Sequence, residues 1–307
     1  MDYHDLRFGI EIECTGATRF TVAKTIAQFF GTGLENVNRT LDNYDTYEIK
    51  DPQHRTWKVM RDASILTQQI QGNTRVSADG SYSVEVVSPI LGYENIPTLQ
   101  ELIRTIRRVG GFVNSSCGIH IHVSADAFDA KHLRFLCNTV YSKQNLIYKA
   151  LGVKQIRGRY CKKLDEKFID KLHQKKPVSF FDMAEIWYSQ TCDSDWQRRY
   201  NESRYHILNL HPLLSGRQQS IEYRCFNSTL HAGEIKAYIQ FSLLLTASAL
   251  NATSASRKVT VPTTANDKYA FRVWLLKLGM IGDEFKTARL HLLKNLTGNI
   301  AWRDRLS

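Results

Sequence analysis

The sequence predicts an α+β fold: a mainly antiparallel sheet of six or seven strands, polar on one concave face and covered by helices on the other, with a basic helical insertion and a helical carboxyl end. Three observations predict it. Short segments between residues 7 and 226 alternate apolar and polar side chains at period two, as half-buried strands do. Stretches with apolar residues at helical spacing lie between them. From Gly233 onward the pattern reads as three helices. No internal repeat, low-complexity tract or Pro/Gly/Ser linker interrupts the 307 residues, so one domain over 1–307 is expected, with the insertion near 125–205 and the helical part at 233–307.

The elements follow in order. Arg7 to Cys14 is the first strand, with Phe8, Ile10, Ile12 and Cys14 on one side and Arg7, Gly9, Glu11 and Glu13 on the other. A helix from about Thr18 to Phe30 is closed by Gly31-Thr32-Gly33. Tyr44 to Lys50 and Thr56 to Asp62 read as two strands joined through Asp51-Pro52-Gln53-His54, a hairpin. Ser83 to Ser88 is a short strand stopped by Pro89. Leu99, Leu102, Ile103, Ile106 and Val109 mark an amphipathic helix over Ile96 to Val109, ended by Gly110-Gly111. Strand signals return at Cys117 to Ser124 and, after the largely helical middle, at His206 to Leu210 and Ser220 to Phe226.

Composition excludes several classes. At 43% hydrophobic and 23% charged residues the chain is neither wholly disordered, collagen-like nor a coiled coil. The opening MDYHDLRFGI has acids where a signal peptide is basic and lacks an apolar core, so a cytoplasmic location is expected. Cys14, Cys117, Cys137, Cys161, Cys192 and Cys225 include no C-x-x-C pair and read as reduced thiols. Ala237 to Ser256 carries no formal charge and is long enough to span a bilayer, but Gln240, Ser242, Thr246, Ser248, Asn251 and Thr253 make it a buried core helix instead. The net charge is +11, and residues 131–176 supply +10 of it, with thirteen Lys/Arg against three acids. Such a run is either a solvated helical surface or a collar for phosphates or an acidic polymer.

Three strands pair an apolar face with two ionisable groups. Glu11 and Glu13 point one way from the first, His120 and His122 from Cys117-Gly-Ile-His-Ile-His-Val-Ser124, and Glu222 and Arg224 from Ile221-Glu-Tyr-Arg-Cys-Phe226. Glu85 joins them from Ser83-Val-Glu-Val-Val87. A wet sheet face explains any one pair. Together the residue types suggest more, because carboxylates drawn together raise one another's pKa and usually persist by binding a cation. Oxygen-rich ligands with one or two imidazoles suit Mg²⁺ or Mn²⁺. A zinc set using Cys117 is disfavoured, since Cys117 falls on the opposite strand face and has no second thiol near in sequence.

At these residues the chain resembles the amidoligases, which share the carboxylate-amine ligase fold of glutamine synthetase and glutamate-cysteine ligase. The matching segments are Phe8-Gly-Ile-Glu-Ile-Glu13, Trp57-Lys-Val-Met-Arg-Asp-Ala-Ser64, Val84-Glu-Val-Val-Ser-Pro89, Cys117 to Ser124, Asn209-Leu-His-Pro-Leu213 and Ile221-Glu-Tyr-Arg-Cys-Phe-Asn-Ser-Thr229, in the family's order. The resemblance implies ATP-dependent amide-bond formation through an acyl phosphate. It implies divalent metals, Mg²⁺ or Mn²⁺, held by Glu11, Glu13, Glu85, His120 and Glu222 between the ATP phosphates. It further implies that His122 touches phosphate or substrate, that Arg224 stabilises the transferring phosphoryl group, and that Asp62 receives the amine's proton. Asp62-Ala-Ser-Ile65 has alanine where the family usually has glycine.

The chemistry is coherent on its own terms. A carboxylate is inert to amines until phosphorylated, and phosphoryl transfer between anions needs metal clamps and fixed cationic donors. No P-loop, kinase Gly-rich motif or G-x-G-x-x-G supplies them another way. Arg157, Arg159, Lys162 and Arg204 are the candidates for binding ATP from the basic insertion. The expected substrates are a small-molecule or peptide acid and an amine, with no membrane. Two rival readings stay open: a metal-dependent phosphotransferase on the same fold, and a nucleic-acid or acidic-polymer binding protein on an inactivated ligase fold.

Overall fold

The structure, a computed structural model, describes residues 1–193, 195–262 and 266–300. The chain forms two compact units, one of Arg7–Ile121 with Phe226–Lys236, the other of Met1–Leu6, His122–Cys225 and the chain from Ala237 onward.

The first unit begins with β1 (Phe8–Cys14) and α1 (Arg19–Phe30). Thr18 caps α1 by accepting from the Thr21 N–H, and Gly31 ends it at φ +66°, a left-handed conformation that glycine adopts without a Cβ clash. Next come β2 (Val37–Arg39), β3 (Tyr47–Lys50), β4 (Thr56–Met60), a separate hairpin of β5 (Gln68–Gln71) and β6 (Thr74–Ser77), β7 (Val84–Val87), α2 (Ile96–Arg108) and the start of β8 (Gly118–Ser124). The strand order is β2-β3-β4-β7-β1-β8. The β3–β4 hairpin closes as expected, with the His54 N–H donating to the Asp51 carbonyl at 2.8 Å.

The alternation in β1 sorts its side chains. Phe8, Ile10 and Ile12 are buried beside Val84 and Val86 of the neighbouring strand. Helix α1 packs on β3 and β4 and against α2, contributing Val22, Ala23, Ile26 and Ala27, while α2 contributes Leu99, Leu102, Ile103 and Ile106. Fully burying one such side chain is worth about 1.5–3 kcal/mol. Leu102→Ala is therefore a change that would open this core. Because the apolar half of each strand faces these helices, Glu11, Glu13 and Glu85 are directed to the other side.

The second unit takes up the end of β8. It continues with α3 (Ala130–Leu151), α4 (Glu166–Lys175), α5 (Phe180–Tyr188), β9 (Leu208–Asn209), the short α6 (His211–Leu214), β10 (Ser220–Asn227), α7 (Ala232–Leu250), α8 (Asp267–Lys277) and α9 (Lys286–Leu293). Here β8 is followed by β10 and β9, so the main sheet has eight strands, the small edge strand β2 and the two-residue β9 included. The insertion is helical, held by Phe168 of α4 edge-on to Trp187 of α5 at 5.3 Å. Among the described residues the carboxyl-terminal part holds three α-helices, as expected. On α7, the buried Thr246 hydroxyl pairs with the Tyr223 hydroxyl of β10 at 2.7 Å, so a polar group of the uncharged stretch is satisfied inside the protein. Among the described residues no helix is long and apolar enough to cross a membrane.

Candidate metal centre

The ionisable side chains of the strands are not on a wet face. Glu13 is 4% exposed, Glu85 8% and His120 6%, with Glu11 half-buried. Carboxylates cost free energy to bury unless something offsets their charge, which removes the simple reading of a solvated sheet surface.

In the first unit, β1 and β7 place Glu13 directly opposite Glu85, and β4 places Met60 opposite Glu85 on its other side. Glu11, Glu85 and His120 each offer one ligand atom within 4.8 Å of the others. Glu13, Asp62 and Glu85 form a second such group, so Glu85 belongs to both. His120 Nδ1 lies 3.0 Å from Glu11 Oε2 and its Nε2 lies 3.8 Å from Glu13 Oε1. The imidazole is therefore set between the two carboxylates of the Glu-x-Glu strand. The Gly118 N–H donates to Glu13 Oε2 at 2.6 Å, fixing that carboxylate from the backbone.

Asp62 enters from the loop after β4. Its own N–H donates to Ser83 Oγ at 3.1 Å, the Ser83 hydroxyl donates to the Asp62 carbonyl at 2.6 Å, and the Ser64 N–H donates to Asp62 Oδ1 at 2.6 Å. Both backbone and carboxylate are thereby held. Alanine at 63 does not prevent the turn.

In the second unit, β10 carries Glu222 and Arg224, 2% and 4% exposed. The Arg224 guanidinium donates to Glu222 Oε1, and its Nε donates to the Tyr160 carbonyl at 3.2 Å. Tyr205 lies under the same guanidinium, 6.0 Å from it. His122 Nδ1 sits 3.4 Å from Ser220 Oγ. Asn209, opposite Glu222 in the β9–β10 register, donates from Nδ2 to Glu222 Oε2 at 2.6 Å.

The insertion is tied to this strand. Arg157 is 3% exposed and its guanidinium donates to the Arg224 carbonyl at 3.2 Å. Lys162 pairs through its backbone with the chain ahead of β9, its N–H donating to the Tyr205 carbonyl at 2.8 Å and its carbonyl accepting from Ile207 at 2.7 Å. Arg159 and Lys162 are exposed and Arg204 half-buried, with guanidinium contacts to Tyr160 for Arg159 and to Tyr200 and Tyr205 for Arg204. Arg157 thus differs from its three companions, being packed against backbone.

All six cysteines are free, five of them buried, and the Cys117 thiol donates to Asn114 Oδ1. Burial pushes the Cys14 and Cys225 thiols well up, so both stay neutral. The donor atoms gathered by Glu11, Glu85 and His120 are oxygens and an imidazole nitrogen, a set that fits Mg²⁺ or Mn²⁺.

Sequence reasoning did not single out Asn209, Tyr205, Tyr160 or the Gly118 N–H. The first lay in a recognised segment without a role; the backbone groups have no side-chain signal. Comparison with known proteins gives one family match: a model described as "Putative amidoligase enzyme" fits residues 4–246. No curated protein matches the chain.

Proposed function

The chain belongs to the amidoligase family, and on that premise we propose that it is an ATP- and Mg²⁺-dependent carboxylate-amine ligase. The observation that carries this reading is the set of Glu11, Glu85 and His120, two of them buried and Glu11 half-buried, with Glu13 and Asp62 linked to it through Glu85. Those residues, together with Glu222 as the resemblance implies, would hold Mg²⁺ or Mn²⁺. The metal when bound would draw charge from the phosphate oxygens as a Lewis acid.

The protein's own groups account for the remaining work. An oxygen of the acid attacks the γ-phosphorus of ATP, the bond to the bridging oxygen breaks, and ADP leaves. Arg224 is oriented for this by Glu222 and the Tyr160 carbonyl before any ligand arrives, so little reorganisation is needed as charge moves to the phosphoryl oxygens. The amine nitrogen then attacks the acyl carbon, the acyl–phosphate C–O bond breaks, and phosphate leaves. Asp62 takes the amine's proton, its carboxylate aimed by the Ser64 N–H. His122 contacts phosphate or substrate. Arg159, Lys162 and Arg204 attract ATP, and Arg157 supports Arg224 through its carbonyl.

The test is ADP release assayed with acid alone, amine alone and both. Release that requires both, together with Mg²⁺ or Mn²⁺, supports a ligase. Release with one acceptor, which becomes phosphorylated, would replace it with a phosphotransferase.

A further inference from the structure

We infer that Asn209 is a positioning residue that holds Glu222 for metal binding; this rests on the ligase reading above. Asn209 is 1% exposed and lies on β9, directly opposite Glu222. Its amide has one permitted orientation. The His211 N–H donates to Asn209 Oδ1 at 2.9 Å, and a backbone N–H cannot accept, so the oxygen must face His211. The NH₂ group then points at Glu222 Oε2, 2.6 Å away. Turning the amide over would set N–H against N–H and oxygen against carboxylate, losing both contacts.

Glu222 is therefore gripped at both oxygens by donors from two strands, Asn209 at Oε2 and Arg224 at Oε1. Each carboxylate oxygen has two lone-pair directions, along which it meets a donor or a cation. A carboxylate fixed in one rotamer presents those directions without the entropy loss that a free glutamate incurs on binding. Outer partners of this kind typically change metal affinity by 10–100-fold when removed. The two roles of Asn209 are separable by chemistry: the contact to His211 serves the fold, and the contact to Glu222 serves the ligand.

The experiment compares wild type with Asn209→Leu, which keeps the branched shape and removes both contacts, and Asn209→Ser, which is short and leaves room for water at the His211 N–H. Mn²⁺ binding to the ATP-free protein is measured by calorimetry, and the Mg²⁺ concentration for half-maximal turnover is measured in parallel. The expected result is a 10–100-fold weaker Mn²⁺ affinity in either variant that folds, with turnover recovering at high Mg²⁺. A lower melting temperature with unchanged Mn²⁺ affinity and unchanged Mg²⁺ requirement would make Asn209 purely structural and overturn the inference alone. If wild type itself neither binds Mn²⁺ nor turns over ATP, the ligase reading falls, and the inference with it.

Discussion

Glu13 on β1 and Glu85 on β7 stand directly opposite one another in an antiparallel pair, both buried. Like charges in that relation destabilise a sheet, by roughly 0.2–1 kcal/mol on the scale of cross-strand pairs and more where water is excluded. Such a pair is a poor way to build a stable strand contact and a good way to build a cation site.

Glu85→Gln removes the repulsion at nearly constant shape. The metal-free variant is expected to melt at or above the wild-type temperature, and Mn²⁺, which should raise the wild-type melting temperature, should no longer do so. Thermal melts with and without Mn²⁺ check both. A variant that is less stable without metal and still gains from Mn²⁺ would contradict the assignment.

Arg224→Lys keeps the charge and loses the planar fork that meets Glu222 and the Tyr160 carbonyl together. Turnover should fall by about a hundredfold with a smaller change in ATP affinity, because the lost donors act on the transition state. Steady-state kinetics with ATP varied at saturating acid and amine measure the split. A rise in KM at constant kcat would move Arg224 to ground-state binding.

The periodicity of β1, β8 and β10 was legible because each strand turns apolar side chains to a core, so the Glu-x-Glu, His-x-His and Glu-x-Arg pairs could be read directly. The hairpin of β5 and β6 was missed for the converse reason. Gln68-Gln-Ile-Gln71 and Thr74-Arg-Val-Ser77 bury no face, and without a core the period-two contrast vanishes. Gly72-Asn73, with Gly72 at φ +61°, was the turn signal that marked it. The three-residue β2 carries one apolar residue and leaves no pattern to read. Burial of Arg157 was equally hidden, since its partner is a carbonyl 67 positions away in sequence.

That burial decides how the basic insertion should be probed. Charge reversal at Arg157 would leave an unsatisfied acid against the Arg224 carbonyl and harm the fold, whereas Arg159 and Lys162 are exposed. Arg159→Glu with Lys162→Glu should raise the KM for ATP several-fold at low salt and leave the melting temperature within a few degrees of wild type. The difference should shrink at about 0.5 M salt, where charges are screened within a few ångströms. An unchanged KM at low salt would return these residues to a solvated surface.

Asp51 gives a pH-dependent test of the hairpin between β3 and β4. Burial alone would push its carboxyl up, but donation from the Arg55 N–H, the Arg55 guanidinium at 2.8 Å and Trp57 Nε1 outweighs that and holds it below the ordinary carboxylate range. A carboxyl depressed in the folded state stabilises above its unfolded pKa of about 3.9, and the contribution fades as pH falls through the folded value. Asp51→Ala should cost roughly 2–4 kcal/mol at pH 7. Urea unfolding at pH 7 and pH 3 should show the gap to wild type narrowing in acid; a gap independent of pH would assign the loss to packing.

The most direct measurement is mass spectrometry of a reaction containing the protein, ATP, Mg²⁺ and a mixed pool of amino acids and short peptides. The predicted result is a product lighter than the sum of one acid and one amine by one water, formed together with ADP and phosphate, absent from Glu85→Gln and strongly reduced in Arg224→Lys. Wild-type protein that consumes ATP and leaves every acid and amine uncondensed would contradict the account.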